Sequence, residues 1–260
     1  HMMKLIHSLE DTGQIDNTII FMISDHGEML GQQGARGKIV SWEESIRVPT
    51  LVYHPDLKDK KLCNSVISNI DIVPTLLEFT GLSKSELRDK HPELKGNSYA
   101  ELVENVNYDN VRDKEGHLIH GVQIIPTVFE VAEKFRHTAL ADGFLAKTKA
   151  FMSEGKFLPD FTPPLNYKGV VDKKHKFLRF FSPRQNNIPT NYDELTKYNA
   201  EYQLYDLEND PFEMNDLAKD ENNRDLLMSM NDKCNTLADK EIGLENHVIH
   251  LPGPDWFWTA

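Results

Sequence analysis

The sequence predicts an α/β fold, followed by a small antiparallel sheet with a covering helix. Three observations predict it: an apolar run of strand length directly after an amphipathic helix, two closely spaced apolar runs late in the chain, and a long amphipathic stretch after them. With 260 residues and 39% hydrophobic content, the chain is long enough for one large domain or for a domain with an appendage. We place the boundary near residue 160, which gives predicted regions 3–160 and 161–260.

The amino-terminal region is predicted to begin with a helix and a strand. Residues 3–12 have an apolar helix face, and Gly13 is a favourable helix stop. Residues 17–23 then form a continuous apolar run, which is typical of a central strand in a parallel sheet, buried on both faces. Because a helix before such a strand implies an earlier strand that completes the crossover, we expect a segment upstream of this chain to be missing.

Capping residues and periodicity predict the later elements. Asp71 is the predicted N-cap of a helix that ends before Gly81, and residues 83–126 are polar and irregular apart from a short helix at 98–103. The other predicted elements are strands at 49–54 and 66–69, a helix at 126–135, strands at 168–172, 176–181 and 202–206, and a helix at 225–238.

Composition and charge argue against some classes of function. The net charge of -12 argues against binding of nucleic acid through a basic surface, and no run of about 18 apolar residues is present to span a membrane. Since an acidic chain does not attract an anionic substrate by its overall field, any anion site must be built locally. Cys63 and Cys234 have no metal-ligand spacing, and we interpret them as two buried thiols, with a disulfide as the alternative.

A candidate site follows the first predicted strand. Asp25 and His26 lie at its carboxyl end, where open α/β sheets bind ligands, and Gly27 allows a sharp turn. A carboxylate and an imidazole can bind one divalent cation such as Ca, Mg, Mn or Zn. Lys38 ends a Gly-rich loop and can reach an anion that the cation holds. Taken alone, an Asp-His pair more often belongs to a cap or turn, and a single Lys is more often a solvated charge.

The segment as a whole resembles the sulfatase family. Residues 17–31 contain an apolar strand that ends in Asp-His-Gly, Lys38 follows in the loop, and residues 42–49 read Trp-Glu-Glu-Ser-Ile-Arg-Val-Pro. Residues 71–77 and 202–218 are similar to the family's next helix and to its late strand and turn. The resemblance implies a sulfatase-like mixed sheet flanked by helices. It also implies hydrolysis of sulfate esters, sulfated sugars among them, with a divalent metal, calcium first and magnesium or manganese otherwise.

The resemblance also implies roles for single residues. Asp25 and His26 would be two metal ligands, and Lys38 would be catalytic through contact with the sulfate. The family's nucleophile is a formylglycine made within a Cys/Ser-x-Pro-x-Arg motif, which does not occur in this sequence, and the family's amino-terminal aspartate pair is also absent. We therefore expect a carboxy-terminal fragment that lacks the amino-terminal half, is inactive alone, binds metal weakly and self-associates through an exposed strand edge.

Two alternatives remain open from the sequence. A fragment of a phosphonate or phosphate ester hydrolase of the wider alkaline-phosphatase-like superfamily would share the Asp-His-Gly strand end. A non-catalytic binding or assembly module would keep the fold without turnover. The sequence indicates no cellular compartment and no particular substrate within the family.

Overall fold

The computed structural model describes residues 2–38, 40–57, 59–122, 166–181, 188–198 and 201–243. Short helices surround two small hairpins in the amino-terminal part, and a four-stranded antiparallel sheet packs against one long helix in the carboxy-terminal part. The predicted combination of an α/β region with a small antiparallel sheet and covering helix is confirmed. Across the described ranges, no helix is long and apolar enough to cross a bilayer. The helix predicted at 126–135 lies outside them.

The first helix and strand lie where the sequence predicts them, but the strand is less buried. Helix α1 (Met2–Asp11) ends before Gly13, whose φ of 66° is the left-handed conformation expected after a helix. Strand β1 (Ile20–Met22) pairs antiparallel with β4 (Leu51–Tyr53) in a two-stranded sheet. The prediction of a parallel central strand buried on both faces was therefore wrong within the described part of the chain. A strand with one described neighbour leaves its other edge and part of its surface in solvent.

Apolar side chains remain exposed around this two-stranded sheet. A contiguous exposed apolar surface favours association with another apolar surface, so self-association through this region stays a prediction. The exposed apolar residues of β1, β4 and the helix that follows them are Met22, Ile23, Leu51, Tyr53, Val73 and Leu76.

A Gly-rich hairpin and a single helical turn connect β1 to β4. Strands β2 (Met29–Leu30) and β3 (Arg36–Gly37) pair antiparallel, with Met29 buried. Helix α2 (Glu43–Ile46) follows within the Trp-Glu-Glu-Ser-Ile-Arg-Val-Pro stretch. The hairpin and α2 both lie next to the end of β1, and they determine the shape of the candidate site.

The strand predicted at 66–69 is wrong: a 3-10 turn, Asn69–Asp71, closes this segment. The Asp113 carboxylate accepts from the backbone N–H of Val66 at 2.7 Å, and the Asp71 carboxylate accepts from that of Ser68 at 2.9 Å. Because side-chain carboxylates take these N–H groups, the segment does not pair as a strand. Helix α3 (Ile72–Phe79) then begins and ends close to the prediction.

Four elements occur in residues 83–122, within the stretch that the sequence indicates to be mostly irregular. Helix α4 (Lys84–Lys90) begins with a capping box, in which Ser83 and Glu86 bond each other's backbone N–H, so Ser-x-x-Glu was an available signal. Helix α5 (Ala100–Glu104) confirms the short helix predicted there. The remaining elements, which the sequence did not predict, are helix α6 (Val111–Glu115) and strand β5 (His117–Val122).

The carboxy-terminal sheet has the strand order β5-β6-β7-β8 and is antiparallel throughout. Strands β6 (Asn166–Val171) and β7 (His175–Phe181) form the predicted hairpin, and β8 (Glu201–Asp206) is the predicted third strand. Helix α7 (Tyr192–Tyr198) precedes β8. Strand β5 adds an edge strand from before residue 160, and the division of the chain at that residue stays a prediction.

Helix α8 (Arg224–Ile242) covers one face of this sheet, as the sequence predicts. Its apolar side chains meet those of β6, β7 and β8 in one continuous core, which fixes the sheet and the helix as a unit. The fully buried members of that core are Val170, Phe177, Leu195, Leu204, Leu227, Met230, Cys234 and Leu237.

We expect His117, at the start of β5, to make stability depend on pH. Burial, and then the nearby Arg112 charge, lower the pKa of His117 from 6.5 to about 4. The unfolded chain takes up this proton near pH 6.5 and the folded protein resists it, so stability falls by about 1–3 kcal/mol as the pH drops through this window. Urea unfolding between pH 7 and 4 should show a shallower fall for His117→Gln. His7→Gln, on the exposed part of α1, is the matched control, and an unchanged slope in His117→Gln would contradict this account.

Candidate metal and oxyanion site

The structure brings Asp25, His26 and Lys38 together at the end of β1. His26 Nε2 lies 3.2 Å from Asp25 Oδ2 and 2.5 Å from Lys38 Nζ. The Asp25 carboxylate also accepts from the His26 backbone N–H at 3.0 Å, which turns it back toward the imidazole. One carboxylate, one imidazole and one ammonium group therefore face a common point.

The hydrogen bonds of His26 determine which ring nitrogen is free to bind a ligand. His26 Nδ1 lies 2.8 Å from the Gly27 carbonyl oxygen. Because a carbonyl only accepts, Nδ1 carries the proton in the neutral ring, and the Nε2 lone pair points toward Asp25 and Lys38. Histidines that bind metals make this arrangement, with one nitrogen on the metal and the other N–H on a backbone carbonyl.

Asp25 is held in its anionic form. The His26 backbone N–H, followed by the His26 and Lys38 side chains, lowers the pKa of the Asp25 carboxyl below its ordinary value. Its side chain is 82% exposed, so the carboxylate is open to an ion from solvent. An anionic oxygen and a neutral imidazole nitrogen suit a hard or borderline divalent cation.

The turn that carries these groups is fixed by close backbone approach. The Gly27 N–H donates to the Ser45 carbonyl oxygen of α2 at 2.7 Å, and a Cβ on Gly27 would overlap the Glu44 carbonyl oxygen. The Ser24 hydroxyl donates to the His26 carbonyl oxygen at 2.8 Å, which closes the turn on itself. Glycine is therefore required at position 27 by the packing of α2.

Helix α2 is in turn held by the turn that follows β8. The Glu213 carboxylate accepts from the Glu43 backbone N–H at 2.9 Å and lies 2.5 Å from Lys176 Nζ as an ion pair. Lys176 is fully buried on β7, and its Nζ also lies 3.4 Å from the Glu43 carboxylate. Burial raises the pKa of Glu213, against the opposing effect of the Lys176 ammonium. Gln33 of the Gly-rich hairpin donates to the Phe212 carbonyl oxygen at 2.7 Å.

The sequence did not predict the groups that support the site. Glu213 lies inside residues 202–218, which are similar to a sulfatase segment. The resemblance therefore drew attention to this position, but it did not predict the contacts of Glu213 with Glu43 and Lys176. Lys176 gives only a weak signal, as a lysine at the second position of a strand whose other residues are mostly apolar. Ser45 acts through its backbone and Asn69 through an amide that donates to the Ser24 carbonyl oxygen at 3.0 Å, and neither has a local sequence signal.

The donor set fits part of a metal site. Asp25 and His26 are two groups of the kind that bind metals, and no group of three or more His, Cys, Asp or Glu residues able to hold a metal occurs in the part of the chain that the structure describes. Two ligands on adjacent residues can occupy one side of a cation and leave the other side for further ligands.

Cys63 is exposed and Cys234 is buried, both as free thiols, so the prediction of burial is wrong for Cys63 and no disulfide forms.

Two clefts of this structure lie away from the candidate site. One of about 660 Å³ runs between α6 and α8, and its lysines face carboxylates, as in the 2.8 Å contact of Lys240 with Glu115. It contains none of Asp25, His26 and Lys38. The candidate site is therefore an open surface rather than a closed cavity.

Solved structures define the class of fold. A protein solved in complex with its substrate D-glucosamine-2-N,6-O-disulfate superposes with a TM-score of 0.61 at 19% identity, over 94% of this chain and 38% of that one. The phosphonate monoester hydrolase of Agrobacterium radiobacter superposes with a TM-score of 0.60 at 20% identity, over 92% of this chain and 38% of that one. The fold is that of sulfatases and their alkaline-phosphatase-like relatives.

Sequence comparison finds similarity to sulfatases. The sulfatase family model matches residues 1–82, which contain Asp25, His26 and Lys38. An ulvan-active sulfatase of Formosa agariphila is 38% identical over 39% of this chain and 19% of its own length. An N-acetylglucosamine-6-O-sulfatase of Bacteroides thetaiotaomicron is 36% identical over 30% of this chain and 14% of its own. The similarity to sulfatases therefore includes the segment that carries the candidate site, and the chain spans about a fifth or less of these curated relatives.

Proposed function

We propose that this chain supplies the metal-binding and sulfate-binding part of the active site of a sulfate ester hydrolase. One observation carries the proposal: Asp25 Oδ2 lies 3.2 Å from His26 Nε2, and Lys38 Nζ lies 2.5 Å from the same nitrogen. These distances support a role for Asp25 and His26 as two ligands of a cation, with Lys38 beside them as a positive group for an oxyanion. The match of residues 1–82 to the sulfatase family model supports sulfate as that oxyanion.

Asp25 and His26 would hold the cation, with calcium as the first candidate and magnesium or manganese as the others. When bound, a divalent cation polarises the oxygens of the ester. Asp25 contributes negative charge to it, and His26 contributes the Nε2 lone pair that its Nδ1–H···O=C bond orients. Because two ligands seldom hold a hard cation strongly, we expect weak binding by this chain alone.

Lys38 has a different role. A single Nε2 lone pair cannot serve a cation and Lys38 at the same time, so Lys38 is available to substrate oxygens in the metal-bound protein. Its ammonium then stabilises the charge that the transition state spreads over the sulfate oxygens. Lys38 is exposed, as a group that meets substrate from solvent must be.

We also propose that the nucleophile and the remaining metal ligands come from another polypeptide segment. The Cys/Ser-x-Pro-x-Arg motif does not occur in the 260 residues, and the two cysteines are each in the wrong sequence context for it. The relatives named above support sulfated sugars as the substrate class. Phosphonate esters are the second candidate, since a phosphonate monoester hydrolase shares the fold.

The test combines the purified chain with a formylglycine-bearing amino-terminal segment of a related sulfatase, and measures hydrolysis of an aryl sulfate, a 6-O-sulfated glucosamine and a phosphonate monoester. We expect calcium-dependent turnover of sulfate esters by the complex alone, reduced about 100-fold or more in Lys38→Met. Asp25→Asn should also lose activity, because one anionic metal ligand is removed. Asp56→Asn is its matched control, since Asp56 is another exposed aspartate that lies 3.9 Å from a histidine nitrogen, on His54.

The outcomes separate the proposals. Turnover by the 260-residue chain alone would contradict an external nucleophile. An assembled complex that hydrolyses no sulfate ester would contradict the function, and a preference for the phosphonate would favour the second candidate.

A further inference from the structure

A second cluster of positive charge lies outside the candidate site, in the carboxy-terminal sheet. Lys168 on β6 and Arg179 on β7 are directly opposite each other in the strand register. Side chains of opposed residues leave the same face of an antiparallel pair and lie close together. Val170 and Phe177, two residues along each strand on that face, belong to the core beneath α8.

Arg179 has donors that no atom of the described residues satisfies. Its side chain is fully buried, and Nη1 donates to Asn231 Oδ1 at 2.6 Å. Asn231 is fixed in that orientation because its amide nitrogen donates to the Pro189 carbonyl oxygen at 2.7 Å. The two other donors, Nε and Nη2, are buried and have no hydrogen-bond partner among the residues that the structure describes. A buried donor without a partner is costly, so its presence points to an acceptor other than those residues.

The same pair of nitrogens binds an oxyanion elsewhere in this protein. Arg112 Nε and Nη2 donate to the two carboxylate oxygens of Asp71 at 2.5 Å and 2.6 Å. This pair of donors on one edge of the guanidinium, Nε and Nη2, which we call the fork, matches two oxygens of a carboxylate, sulfate or phosphate. Arg179 presents the same fork, already oriented by Asn231, and no described carboxylate meets it.

The local charge favours an anion as well. Like charges directly opposite each other in a sheet are destabilising, and Lys168 and Arg179 are such a pair. Burial lowers the pKa of Lys168, and the Arg179 charge lowers it further. The Cys234 thiol lies nearby, but burial raises its pKa, so it stays neutral and does not offset these charges. Lys168 remains partly exposed, whereas Arg179 is fully buried.

We propose that Lys168 and Arg179 form a binding site for a small tetrahedral oxyanion, inorganic sulfate or phosphate. Arg179 Nε and Nη2 donate to two oxygens of the anion, and Lys168 supplies the second positive charge. The site does not depend on the proposed hydrolytic function, since none of Asp25, His26 and Lys38 belongs to it.

The experiment is thermal unfolding of the full 260-residue chain, titrated separately with sodium sulfate and sodium phosphate at ionic strength held constant with sodium chloride. We expect a saturable rise in Tm for the wild-type chain. Arg179→Met should weaken the apparent affinity at least about tenfold, because the bidentate contact is lost. It should also raise the Tm without added anion, since it removes an unpaired buried charge.

Two further variants keep the test decisive if Arg179→Met does not fold. Arg179→Lys keeps a charge but loses the fork, and Lys168→Met removes the second charge, so both should weaken the saturable shift. Lys174→Met, an exposed lysine on the same hairpin, is the matched control and should keep it. A rise that never saturates and is equal in all variants is the general effect of excluded anions and would overturn the proposal. Loss of the shift in Lys38→Met alone would place the anion at the first site and would also overturn it.

Discussion

Arg112→Met is expected to lower the free energy of unfolding by about 3–5 kcal/mol, because it leaves buried carboxylates without their counter-ion. Arg112 donates twice to Asp71 and once, through Nη1 at 3.0 Å, to Glu241. All three side chains are at most 5% exposed. Chemical unfolding monitored by circular dichroism measures the change.

The effect should be specific to burial. Lys114→Met, which breaks an exposed 2.7 Å pair with Asp109, should cost less than about 1 kcal/mol. The double variant Arg112→Met/Asp71→Asn should recover part of the lost free energy of unfolding, since it also removes one of the buried carboxylate charges that Arg112→Met leaves unpaired. A loss below about 1 kcal/mol in Arg112→Met would mean that solvent reaches the carboxylates and that the group is not a buried network.

This network connects distant parts of the chain. Asp71 lies at the start of α3, Arg112 lies on α6, and Glu241 lies in the last turn of α8. Asp71 also accepts from the backbone N–H of Ser68 and of Asn97, so one carboxylate orders three segments. The sequence indicated Asp71 as a helix cap. It gave no signal for the pairing with Arg112, which depends on contacts between elements far apart in the chain.

The elements predicted well are those specified by local pattern. Residues 224–242 have helical periodicity over about five turns, and the β6–β7 hairpin has two apolar runs around a polar turn, so each is determined by neighbours in sequence. The burial of β1 was mispredicted because its apolar run gives no information on how many strands pair with it. Strand β5 was missed because its partner among the described strands, β6, lies more than 40 residues later.

In the candidate site, too, the features set by local sequence were predicted and those set by distant contacts were not. Asp25 and His26 are adjacent at a strand end, so their meeting followed from sequence, and Lys38 was placed by the resemblance to sulfatases. The support from Glu213 and Lys176 could not be predicted, because burying a charge is unfavourable until its partner is known. One buried ion network therefore supports the site, through α2 and the turn after β8.

Gly27 connects helix α2 to the turn that carries Asp25 and His26. Its N–H donates to the Ser45 carbonyl oxygen, and a Cβ at this position would overlap backbone rather than a mobile side chain. Helix α2 cannot move away easily, since Glu213 accepts from its first N–H at 2.9 Å. A substitution must therefore displace the turn instead of α2, and the turn is what places Asp25 against His26.

Gly27→Ala is accordingly expected to abolish calcium binding by Asp25 and His26 and to destabilise the fold by about 1–3 kcal/mol through overpacking. Calorimetric titration of calcium gives the first quantity and chemical unfolding gives the second. Gly34→Ala is the matched control from the Gly-rich hairpin: its φ of 72° makes alanine strained by about 1 kcal/mol, but open space surrounds it and calcium binding should persist. If Gly27→Ala binds calcium as the wild-type chain does, the geometry of this turn does not govern the metal site. If Gly34→Ala loses binding equally, the hairpin as a whole is responsible rather than the approach of α2 to Gly27.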